Sequence, residues 1–102
     1  MSRDHEAVRD SQSANAIRAY CVTLAQEIGL TLESSPYWTS TTLPAMGRKP
    51  YSLVLSVTEP FKALVPFSYT REEVLGYITG ETKVAIQSQI RKELEIRRHE
   101  VS

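Results

Sequence analysis

The chain has 102 residues, 41% hydrophobic and 24% charged, with twelve basic residues against twelve acidic ones. That length holds one hydrophobic core, and the composition is globular rather than disordered. Zero net charge argues against a protein whose main task is gripping phosphate backbones, and a single cysteine, Cys21, excludes an internal disulfide or a cysteine zinc site.

The N-terminal stretch MSRDHEAVRDSQSAN is polar, carries both charges and lacks the apolar run of a secretory signal. No segment approaches the roughly 20 apolar residues of a membrane span. The expectation is a cytoplasmic protein with no membrane partner. Residues 1–12 read as a flexible, solvated arm and residues 13–102 as a single domain. Ser11 or Ser13 can cap the first helix, because a short hydroxyl accepts from the free amides of a first turn. Ile17, Tyr20, Cys21, Leu24 and Ile28 recur at three- and four-residue steps and share one helix face. Gly29 ends that helix, as a residue tolerant of left-handed φ.

The segment LTLE after Gly29 alternates and begins a strand. YWTSTT (37–42) is rich in β-formers, while Pro36, Pro44 and Pro50 prevent one long strand from crossing the region. PAMGRKP reads as an irregular turn. YSLVLSV (51–57) and FKALVPFSY (61–69) both alternate, and TEPF joins them as a hairpin with Pro60 in the turn. Pro66 marks the second strand as an edge or a bulged strand. Thr70 and Glu73 have capping-box spacing. Val74, Leu75 and Ile78 form the apolar stripe of the helix they open, and Gly80 closes it. A last helix spans about 82–98 with Ile86, Ile90 and Leu94 on its buried stripe. Val84 and Ile96 lie off that stripe, and an apolar residue on a second face calls for a second partner. The expected fold is α+β: a small antiparallel sheet, made of the hairpin 51–69 plus one or two short strands, packed against an N-terminal helix and two C-terminal helices.

The residues of catalysis do not converge. His5 stands in the arm and His99 at the tail of the last helix, and Asp occurs only at positions 4 and 10. Cys21 lies on an apolar helix face, where a thiol is structural. Glu72 and Glu73 occupy a first helical turn, which the macrodipole explains. No glycine-rich phosphate loop is present. No enzyme activity, cofactor or metal site is expected.

Two sets of residues are candidates for binding. Tyr37 and Trp38, with Arg48 and Lys49, combine aromatic and cationic groups suited to a partner protein. An alternating strand turns one of the two aromatics into the core. Lys83, Arg91, Arg97 and Arg98 are candidates for nucleic-acid contact, although Glu93, Glu95 and Glu100 interleave with them. The last two helices also have helix-turn-helix order, but the second opens on Glu81, which disfavours phosphate, and offers Gln87 and Gln89 as base readers. The order helix, three strands, helix resembles that of double-stranded RNA-binding domains, as does the start of GETKVAIQSQI. Only Lys83 stands where that family clusters lysines, and the helix at 70–79 interrupts the order, so no family is assigned. The first expectation is therefore a small non-enzymatic binding or regulatory protein that acts through protein–protein contacts and forms a homodimer. The second is a nucleic-acid-binding module.

Overall fold

The computed structural model describes residues 11–40 and 49–101. Helix α1 (Gln12–Ile28) leads to two short strands, β1 (Thr31–Leu32) and β2 (Tyr37–Ser40). Strands β3 (Tyr51–Glu59) and β4 (Ala63–Tyr69) form the hairpin, and helices α2 (Arg71–Thr79) and α3 (Lys83–Val101) complete the chain. The fold is α+β, with a four-stranded antiparallel sheet carrying helices on one face.

Ser11 is the cap of α1: its hydroxyl accepts from the Ala14 amide at 3.1 Å. Ser13, the other candidate, is buried and does something different. Its Oγ donates to the Leu75 carbonyl and accepts from the Ile78 amide, each at 3.1 Å, and so ties α1 to α2. Gly29 sits at φ +82° and turns the chain out of α1 into β1. The capping box at Thr70 is complete, with both reciprocal bonds to Glu73 in place.

Strand β3 pairs antiparallel with all three other strands. Strand β4 spans β3 from Tyr51 to Val57. A strand has two edges, so β2, opposite Tyr51–Val54, and β1, opposite Val57 and Glu59, share the other edge. Pairing with β1 carries β3 on to Glu59, two residues beyond the alternating run YSLVLSV, and the Thr58 hydroxyl donates to the Thr31 carbonyl.

Alternation along the strands sorts the side chains. Tyr51, Leu53, Leu55 and Val57 of β3 and Val65, Phe67 and Tyr69 of β4 are buried on the helix-facing side. They meet Ile17, Cys21 and Leu24 of α1, Val74 and Tyr77 of α2, and Ile86, Ile90 and Leu94 of α3 in one cluster. α3 packs on both α1 and α2. Contacts of Tyr20 with Gln87, Glu27 with Arg91 and Gly29 with Arg98 advance together, so α1 and α3 run in the same sense.

Two residues depart from the expected pattern. Ile78, expected on the buried stripe of α2, is 57% exposed. Tyr77 takes the inward position instead, where its hydroxyl accepts from the Gln87 side-chain amide at 2.8 Å, and the next residue must then point outward. Gly76 is buried where the α2–α3 turn folds back: a Cβ there would stand 3.1 Å from the Thr82 methyl. Thr82 donates to the Glu73 carbonyl at 2.7 Å and is held in place.

Candidate interaction surface

Trp38 and Tyr37 point to opposite faces of β2. Trp38 is 8% exposed, its indole N–H donates to the Ala14 carbonyl at 3.1 Å, and its ring lies 6.1 Å from that of Tyr69. It pins β2 to the start of α1 and offers no surface to a partner. Tyr37 is 45% exposed on the sheet face away from the helices. Arg48 lies outside the described residues. Lys49 forms an ion pair with Glu73 at 3.0 Å, at the N-terminus of α2.

Burial alone raises the pKa of Glu73, but the Thr70 amide, the Lys49 ammonium and the Thr70 hydroxyl outweigh it and hold the carboxyl below its ordinary value. A carboxylate with a lowered folded pKa stabilises the fold above its unfolded pKa, and loses that contribution as pH falls through the folded value. Glu73→Gln is therefore expected to flatten the acid limb of the stability–pH profile, read as urea midpoints. A parallel downward shift at every pH would assign Glu73 a purely structural role.

The other candidate cations are largely neutralised. Arg91 pairs with Glu27 at 3.1 Å and with Glu95 at 3.6 Å, and Arg97 pairs with Glu93 at 2.7 Å. The Arg98 guanidinium rests beside Gly29, at the C-terminal end of α1 where the helix dipole favours a cation. Lys83 is exposed at the start of α3. The helix-turn-helix reading loses one base reader, because the Gln87 amide is engaged by Tyr77.

The Glu33 amide donates to the Ser56 carbonyl, so even-numbered residues of β3 face β1 and β2, and odd-numbered ones face β4. In the paired register, odd residues of β4 then bond to β3, and Leu64, Pro66 and Ser68 face the outer edge. Pro66 thus removes a donor from the middle of that outer edge, which blunts it against strand addition. Among the described residues no three His, Cys, Asp or Glu side chains converge as a metal site, and no helix is long and apolar enough to cross a membrane. Cys21 is fully buried, and burial pushes its thiol up to about 12.

Among the described residues, the most exposed large apolar side chains outside the sheet lie on the helix layer: Val84 at 74% and Ile78 at 57%. Ile78 borders a depression of about 330 Å³ that is also lined by Ala16, Ala19 and Tyr20 of α1 and by Lys83 and Gln87 of α3. Val84 borders the adjoining one, a second depression of about 250 Å³ that continues the first past Tyr20 and Gln87 to Arg91. Tyr20 fixes the shared wall by donating its hydroxyl to the Gln87 carbonyl at 3.3 Å. Small residues on α1 help to line the first depression, α2 adds Tyr77 and Ile78, and α3 adds Lys83 and Gln87 there and Val84 in the second. The sequence signal for this surface is Val84, apolar on the wrong face of its helix. Ile78 carried no such signal, because its spacing fits the buried stripe. Comparison with protein-family models, curated proteins and solved structures finds no match to this chain.

Proposed function

We propose that the protein is a small non-enzymatic binding or regulatory protein of the cytoplasm, acting through protein–protein contacts and pairing with a second copy of itself across the helix layer. The observation that carries this reading is the exposure of Ile78 and Val84 beside two adjoining depressions that share Tyr20 and Gln87. Exposed apolar residues grouped around a depression mark interaction surfaces, whereas scattered ones need no explanation. The neutral net charge leaves self-association unopposed by long-range repulsion. The ion pairs of Lys49, Arg91 and Arg97 speak against the nucleic-acid reading, since a cation already satisfied by a carboxylate gains less from a phosphate.

Light scattering over a wide concentration range tests the proposal. The expected mass is twice the monomer's, falling to the monomer value for Val84→Glu and Ile78→Glu. Both positions are exposed, so at protein concentrations low enough to remove self-association each variant should keep its unfolding free energy within about 0.5 kcal/mol of wild type. A wild-type monomer at all concentrations would eliminate the homodimer.

A further inference from the structure

Between Glu33 and Tyr37 the edge strand advances four residues while β3 advances two, from Ser56 to Val54. Ser34, Ser35 and Pro36 therefore loop out of the ladder. Irregular strands of this kind re-aim side chains and recur beside binding sites. Here the looped segment stands off from the second half of α1 and leaves a half-open cavity of about 360 Å³. That volume lies within the range of small-molecule pockets, roughly 300–1,000 Å³.

The lining divides by chemistry. Val22 and Ala25 of α1, with Leu30 and Leu32, form an apolar wall. Gln26, Thr31, Ser34 and Ser35 contribute neutral hydrogen-bonding groups. Among the described residues, no ionisable side chain lines the cavity. Because the Glu33 amide is directed at β3, alternation directs the Leu32 amide and carbonyl toward the outer edge of the sheet. A neutral donor–acceptor group can be satisfied in such a site. A charge would lose hydration without gaining a countercharge.

We propose that this cavity binds a small uncharged molecule with an apolar ring and a single hydroxyl or amide group. The site is separate from the helix-layer surface, since the two share no lining residue.

The test is a titration of the isotopically labelled full chain, followed by amide NMR, with benzyl alcohol, benzoate and benzylamine as probes. Benzyl alcohol is expected to shift the amides of Gln26, Leu32, Ser34 and Ser35 saturably, with a Kd on the order of 1 mM. Benzoate and benzylamine are expected to bind at least about tenfold more weakly, a difference of about 1.4 kcal/mol. Val22→Phe, which fills the cavity from α1, should weaken benzyl alcohol by at least about tenfold. Ser35→Tyr, at an exposed position, should do the same by covering the mouth, and keeps the test open if the core-side variant does not fold. The proposal is overturned by the absence of saturable shifts, by equal binding of all three probes, by undiminished binding in the folded variants, or by shifts centred on Tyr20 and Val84.

Discussion

Trp38→Ala is expected to destabilise the protein by about 3–5 kcal/mol, measured as the loss of unfolding free energy in urea. The residue is 8% exposed and touches three parts of the fold. Its ring packs at a 57° tilt against Tyr69 of β4, its strand position pairs with Leu53 of β3, and its N–H reaches the Ala14 carbonyl of α1. Truncation removes the largest apolar surface on β2 and opens a void between sheet and helix, which surrounding side chains fill only in part. Trp38→Phe separates the two contributions. It retains most of the ring and loses the N–H donor, so a smaller cost of about 1 kcal/mol is expected beyond the volume change. The wild-type emission should be blue-shifted and protected from acrylamide, and a red-shifted, quenchable signal would contradict the burial. Full stability in the alanine variant would mean that β2 is not anchored to the core.

Ile90→Ala is expected to cost about 2–5 kcal/mol, against no more than about 0.5 kcal/mol for Val84→Ala on the same helix. Ile90 is fully buried and Val84 is 74% exposed. Six residues separate them, which on an α-helix is a rotation of about 240°, so the two side chains cannot share a face. Ile90 lies between Ile86 and Leu94 on the stripe that closes the core against α1 and α2, whereas Val84 borders the hollow beside Tyr20. Urea unfolding of both variants at low protein concentration checks the pair, since dilution removes any contribution of self-association. Equal costs would mean that the two faces of α3 are misassigned.

Local structure was legible in the sequence wherever one residue type has one dominant physical role. Thr70 with Glu73 could be read as a capping box because the reciprocal bonds need only a local backbone and that spacing. Gly29 could be read as the end of α1, and the alternation in β3 and β4 as one buried face, for the same reason. The exchange between Ile78 and Tyr77 could not be read. Both are apolar at helical spacing, and only the Gln87 amide on another helix makes the tyrosine position the inner one. Ser13 resembled a cap because caps are local, yet its hydroxyl serves Leu75 and Ile78, more than sixty residues away. The candidate cations were judged by exposure and clustering in the chain. Glu27, which neutralises Arg91, and Glu73, which neutralises Lys49, come from distant segments.

The sequence by itself determined the class of the fold, the order of its elements, the capping of α2 and which strand faces are apolar. Each of these follows from backbone propensity and from periodicity within a single segment. Tertiary structure alone decided that Trp38 rather than Tyr37 enters the core, that β1 and β2 share one edge of β3, and that Pro66 directs its missing donor outward. It also decided where α1, α2 and α3 leave a hollow and where the strand break at Ser34–Pro36 opens a cavity. Those outcomes depend on register and on contacts between distant segments, and a pattern along one segment does not encode them.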